Sequence, residues 1–201
     1  TDDTNITLDV CGNVAFGSNN TAHSDAIYSC SIGLDNSNNG DYSLIAGNSN
    51  VIQQLGNDAS FQACYIFGSQ NTVSGDWNFA TGYGNTINGD YSFAFGVSNE
   101  VLSGDIGNSY AFGTGLKIQD TDQIALGRYN EEVTDTILVI GRGGSDSTRD
   151  NALVVKDSGQ VGILTNEPLT ILDISYSDGI ILPRGTTGDR PVNASVSDTS
   201  F

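Results

Sequence analysis

A glycine recurs through most of this chain at a spacing close to 14 residues, and no other feature constrains the fold as strongly. Short apolar segments precede it, as in Phe93-Ala94-Phe95-Gly96. The glycines stand at positions 17, 33, 47, 68, 82, 96, 113, 127 and 141. Five of the eight intervals are 14 residues, and the other three are 16, 21 and 17. Such self-similarity predicts a repeat protein, in which each unit buries its apolar side by stacking on its neighbours.

Each repeat contains two short strands and two corners. Asparagine, which tolerates the left-handed backbone region, follows the glycine by three residues and predicts a tight turn. It occurs as Asn20, Asn36, Asn50, Asn71, Asn85, Asn99 and Asn130. An apolar residue such as Ile52 or Val73 follows two positions later, and a Gly-Asp pair such as Gly75-Asp76 predicts the second corner. Residues 1–141 are therefore predicted to form an all-β domain, a parallel β-roll or β-helix of about nine 14-residue coils.

The strand before the glycine is apolar on both faces, because Phe93 and Phe95 point one way and Ala94 the other. A roll built from two sheets has one interior, so the second face requires another chain. Small side chains suit close approach, and we expect the alanine column to face the axis of a cyclic homo-oligomer. The column is Ala15, Ala80, Ala94, Ala111 and Ala125.

These Val-Ala-Phe-Gly and Phe-Ala-Phe-Gly units resemble the head repeats of trimeric autotransporter adhesins over about residues 11–141. The resemblance implies a left-handed parallel β-roll wound as an intertwined homotrimer. The Gly-x-x-Asn and Gly-Asp-Tyr corners depart from the adhesin pattern and look more like the repeats of phage and virus fibre proteins.

Residues 142–201 are interpreted as a β-rich connector. The segment 152–163 and the Asn166-Glu167-Pro168 motif resemble the connector beside such repeats in phage tail fibres. The segment 180–191 is similar to a linker that leads into a further fibre module. We therefore expect a fragment of a longer tail fibre of a virion, which displays or forms a receptor-binding surface for host attachment. The alternatives are the head of a bacterial trimeric adhesin at the cell surface and a polysaccharide-cleaving tailspike.

The charge balance excludes several partners. Lys and Arg number 7 and Asp and Glu 24, which gives a net charge of −17. Such a chain repels the phosphates of nucleic acid and anionic membranes. No apolar run is long enough to cross a membrane. No cofactor or metal motif is found, because the Gly-Asp corners supply one carboxylate per repeat where calcium needs six to eight oxygen ligands.

An aromatic column lies five residues before the glycine. Its members are Tyr28, Tyr42, Trp77 and Tyr91, with Ala63 interrupting it. In a stacked roll these rings form a ladder along one edge. Such a ladder can stack on the sugar rings of a host glycan, or it can pack against a neighbouring chain.

Catalysis has little support in the sequence, and we predict that the protein is not an enzyme. The single histidine, His23, has no Ser-His-Asp or Cys-His pattern around it, and no spacing singles out a pair of carboxylates.

The three cysteines, Cys11, Cys30 and Cys64, are too few for a disulfide scaffold. They are predicted to be reduced and buried.

Overall fold

The computed structural model describes residues 12–22, 26, 28–53 and 63–175, with the backbone alone at 103–106. Over these residues the chain contains strands and no helix, and forms a β-solenoid of about ten turns with a spacing near 14 residues. The predicted all-β roll of 14-residue coils is thereby confirmed. Cys11, His23 and the linker at 180–191 lie outside the described residues.

The described strands, numbered in chain order, belong to two sheets. The first sheet contains β1 (Val14–Ser18), β3 (Cys30–Leu34), β5 (Leu44–Asn48), β7 (Tyr65–Ser69), β9 (Phe79–Tyr83), β11 (Phe93–Val97), β13 (Tyr110–Thr114), β15 (Ile124–Arg128), β16 (Thr136–Arg142), β17 (Asn151–Lys156), β18 (Val161–Ile163) and β19 (Leu172–Ile174). The second contains β2 (Thr21–Ala22), β4 (Ser37–Asn38), β6 (Val51–Gln53), β8 (Thr72–Ser74), β10 (Thr86–Asp90), β12 (Glu100–Gly107) and β14 (Lys117–Ile118). Neighbouring coils pair in parallel from β1 to β16, and each repeat glycine lies opposite the next one.

The glycine column is required by the close approach of successive coils. From position 17 to position 127 the repeat glycines have φ between 94° and 157°, which L side chains rarely adopt. A Cβ added to any of them would overlap the carbonyl oxygen of the glycine in the next coil. Any other residue in this column would therefore have to push two coils apart.

The asparagine three residues later closes the same corner with its side chain. Asn85 Nδ2 donates hydrogen bonds to Asn71 Oδ1 at 2.9 Å and to the Gly96 carbonyl of the next coil at 3.0 Å. Its Oδ1 accepts from the backbone N–H and the side-chain amide of Asn99 at 3.1 and 3.0 Å. The same pattern runs from Asn20 to Asn99, and from Asn36 onward these side chains are buried. The Gly-x-x-Asn spacing is thus a ladder of hydrogen bonds along the solenoid.

A second polar column lines the opposite corner, four residues before the glycine. Asn78 Oδ1 accepts the Ser92 N–H at 2.9 Å, and Ser43 Oγ accepts the Cys64 N–H at 2.9 Å. These side chains are buried and satisfy backbone groups that would otherwise lie unpaired in the interior.

The alanine column lies inside the coil. Ala80, Ala94, Ala111 and Ala125 are fully buried within the single chain and belong to one core cluster with residues of the second sheet such as Ile87. The prediction that they face an oligomer axis is therefore wrong. Ala15 occupies the same register position but is exposed, because β1 is the terminal described strand of its sheet. Small alanines fit opposite the larger valine and isoleucine side chains of the second sheet.

The sheet continues beyond the last parallel coil. β17 pairs antiparallel with β16, β18 pairs antiparallel with β17, and β19 returns to a parallel pairing. Arg149 lies at this end, where Nη1 donates to the carbonyls of Gly115 and Asn130 at 2.8 and 3.0 Å. The strand direction thus changes after β16, inside one continuous sheet.

We expect Asn85→Ala to destabilise the fold by about 2–4 kcal/mol, because it leaves buried groups of two neighbouring coils without hydrogen-bond partners. Urea unfolding followed by circular dichroism measures the change. Asn88→Ala, at an exposed position in the same coil, is the matched control and should be nearly neutral. Equal effects of the two substitutions would contradict a stabilising ladder.

Candidate functional site

The outward side of the first sheet is a continuous apolar surface, which we call the outer face. It consists of the residues three and one before each repeat glycine: Val14, Phe16, Cys30, Ile32, Leu44, Ala46, Tyr65, Phe67, Phe79, Thr81, Phe93, Phe95, Tyr110, Phe112, Ile124, Leu126, Leu138 and Ile140. None of these positions holds a charged residue, although the chain has 24 Asp and Glu. Phe16 and Phe112 remain 48% and 43% exposed. The residues that the structure describes leave this face uncovered.

Aromatic rings stack along the outer face from coil to coil. The ring centroids of Phe79 and Phe95 are 5.3 Å apart, and those of Phe95 and Phe112 are 5.1 Å apart. A neighbouring pair, Phe93 and Tyr110, stacks at 5.2 Å. Nine parallel strands at the usual spacing make the face about 40 Å long, and its two columns, two residues apart on each strand, lie about 7 Å from each other. The resulting area is of the order of several hundred Å², the size at which exposed apolar patches mark interaction sites.

The residues five before the glycine form a second surface, which we call the corner column. It comprises Tyr28, Tyr42, Ala63, Trp77, Tyr91, Asn108 and Asp122. All have positive φ; the four aromatic members lie between 52° and 58°. This conformation suits Asn or Asp and is unfavourable for bulky residues. The aromatic members are also exposed by 42–61%.

The predicted aromatic ladder is therefore present in two parts. Tyr28 and Tyr42 lie together, with ring centroids 5.7 Å apart. Trp77 and Tyr91 occupy successive coils, and the Tyr91 N–H donates to the Asp76 carbonyl. Ala63, which is buried, separates the two parts.

A cleft of about 440 Å³ joins the corner column to the outer face. It is lined by Ala63, Tyr65, Trp77, Asn78, Phe79 and Phe93. Asn78 is buried, and its amide already donates to the carbonyls of Ser74 and Gly89 at 3.2 and 2.6 Å. The cleft thus offers aromatic surface with few polar groups for hydroxyls, and Trp77 extends the apolar outer face around the corner.

All three insertions into the 14-residue repeat enter at one corner. They fall between the start of the second-sheet strand and the corner column: after Ala22, after Gln53 and, within β12, after Leu102, where the register with β10 shifts. The chain returns at Tyr28, at Ala63 and at Asn108. In repeat proteins, insertions that share one face often form the binding surface. The sequence shows the lengths of the three insertions. Their common place before the corner column also follows from the positions of the repeat columns.

The Gly-Asp corners bind the neighbouring coil. Asp90 Oδ1 accepts the backbone N–H of Asp76 at 2.8 Å, so this carboxylate stabilises the turn of the preceding coil. Within the described part of the chain, no group of three or more His, Cys, Asp or Glu side chains could hold a metal ion.

The two described cysteines, Cys30 and Cys64, are free thiols. Cys64 is fully buried in the polar corner, and its Sγ donates to the Gly75 carbonyl at 3.2 Å. Desolvation by burial raises its pKa from 9.0 to about 12. Its thiol is therefore protonated and unreactive at neutral pH. Cys30 is half-buried on the outer face.

No protein-family model matches this chain, and a search of curated proteins finds no match. Across the described residues, no helix has the length and apolar character needed to cross a bilayer.

The raised pKa of Cys64 predicts a loss of stability at alkaline pH. The unfolded thiol ionises from about pH 9, whereas the folded thiol resists ionisation up to about pH 12. The free energy of unfolding should therefore fall across this window by up to about 1.4 kcal/mol per pH unit. Denaturant unfolding of the protein and of Cys64→Ala at several pH values isolates this contribution. Parallel pH profiles for the two would contradict it.

Proposed function

We propose that this chain is a non-enzymatic structural segment of a homotrimeric tail fibre of a virion, and that it displays a surface for host attachment. The observation that carries the proposal is the uncharged, aromatic outer face, which runs the length of the parallel coils and is covered by no described part of the chain. Apolar patches of this size on soluble proteins mark interaction sites.

The repeat itself favours an identical partner. Side chains of the outer face recur at every coil, so a partner must present features at the same spacing along the same axis. A second copy of the chain satisfies this requirement without any further adjustment. The number three comes from the resemblance of the repeats to those of trimeric adhesins and fibre proteins.

The proposed attachment surface is the corner where the insertions enter. The net charge of −17 disfavours anionic receptors and favours neutral ones, such as an uncharged surface glycan.

We expect the native protein to sediment as a trimer and Phe95→Asp to prevent assembly, because each chain would bring a carboxylate into the apolar interface. Analytical ultracentrifugation measures the mass. Thr86→Asp, on the outward side of the second sheet, is the matched control and should remain trimeric. A native protein that sediments as a stable folded monomer would refute the proposal.

The double substitution Trp77→Ala/Tyr91→Ala separates the two roles of the aromatic column. We expect it to lower the melting temperature of the assembly, because the cleft makes these rings continuous with the outer face and about 3–5 kcal/mol is lost per buried aromatic side chain. Asn88→Ala, at an exposed position of the second sheet, is the control and should leave the melting temperature unchanged. Loss of binding to host surface polysaccharide with an unchanged melt would instead assign the rings to glycan contact.

A further inference from the structure

We propose that in the assembled fibre the corner column of one chain packs against the opposite edge of the outer face of the next chain, coil by coil at equal height. The inference rests on the proposed homo-oligomer and identifies the surfaces that join its copies. The opposite edge is formed by the residue after each repeat glycine, and we call it the exit column. It comprises Leu34, Asn48, Ser69, Tyr83, Val97, Thr114 and Arg128.

The two columns lie at the two sides of the outer face. In every coil the corner column precedes a five-residue strand of the first sheet and the exit column ends it. Such a strand spans about 13 Å, so the two columns cannot touch within one coil. In a closed ring around an axis parallel to the stack, one edge of each copy meets the other edge of the next copy. Rotation about this axis moves no residue along it, so residues of the same coil meet at the same height.

Bulky residues of the two columns coincide in three of the four coils that have an aromatic corner residue; in the fourth, Tyr42 shares its coil with the polar Asn48. Tyr28 shares its coil with Leu34, and their side chains are 61% and 42% exposed. Trp77 shares its coil with Tyr83, at 51% and 48% exposed. Tyr91 and Val97, at 52% and 41%, form the third pair. In the coil of the small Ala63 the exit column also has a small residue, Ser69.

Towards the C-terminal end, the corner column and the exit column both have polar residues, and these again lie in the same coils. Asn108 shares its coil with Thr114, and Asp122 shares its coil with Arg128. Both Asp122 and Arg128 are exposed. In the described part of the chain, ion pairs are made by Lys117, Arg142, Arg149 and Lys156 and none by Arg128. This acid–base pair in one coil gives charge complementarity between two copies of a strongly acidic chain.

The positive φ values of the corner column also favour contact with the exit column of the next copy. Tyr91 and Trp77 hold φ of 52° and 58°, in a region where their bulk is unfavourable, and their own chain leaves about half of each side chain exposed. Asn108 and Asp122, whose side chains suit this conformation, occupy the column only where the exit column is polar. Burial against the next copy offsets the backbone cost of the aromatic residues.

Disulfide cross-linking tests the pairing. Asn108→Cys and Thr114→Cys in one chain place two thiols too far apart to pair internally. On mild oxidation of the native assembly we expect covalent dimers and trimers on a non-reducing gel, with no larger band. Either single variant controls for the native cysteines. Asn108→Cys with Tyr83→Cys, displaced by two coils or about 10 Å, should not cross-link.

The outcomes separate the pairing from the proposed function. A trimer in sedimentation in which the matched pair fails to cross-link, or links no better than the displaced pair, overturns the pairing alone. A monomer in sedimentation overturns both.

A charge exchange gives a second readout without cysteines. Arg128→Asp, which sets carboxylates of neighbouring copies opposite each other, should lower the melting temperature of the assembly, and adding Asp122→Arg should restore it. A double variant whose melting temperature falls by the sum of the two single effects contradicts the pairing.

Discussion

The hydrogen bond from an asparagine amide to the glycine carbonyl of the next coil is the contact on which the solenoid depends. It forms only because the glycine column lets adjacent backbones approach closely at a corner with positive φ. The asparagine oxygen then accepts the amide groups of the following asparagine, so each coil positions its successor. Because the corners fix the position of each coil, the strands pair in register, and a narrow hydrophobic core lies between the two sheets.

Much of this architecture is predictable from the positions of glycine and asparagine. Both residues have local conformational preferences that recur at one spacing, so the coil length, the two strands and both corners follow from residue type alone. The polar column at the second corner is not predictable in this way, because its members belong to no single residue type. They share a buried position and a hydrogen-bonding role, and include Ser43, Cys64, Asn78 and Gln123.

The assignment of faces was wrong for a different physical reason. Phe93-Ala94-Phe95 has two apolar faces, and alternation alone cannot say which one is interior. The width of the coil decides: two sheets joined by short corners leave room for aliphatic side chains such as Ala80 or Ile45 opposite those of the second sheet, but not for two layers of aromatic rings. The large side chains are therefore outside, where the described part of the chain does not cover them.

The length of the solenoid changes in steps of one coil. Removing or duplicating one 14-residue coil keeps every column intact and changes the rod by one strand spacing, about 4.8 Å, without altering its cross-section. Extra residues that do not complete a coil leave the columns in register when they enter at the corner, as all three insertions do. The length of such a rod and the composition of its edge can therefore vary independently.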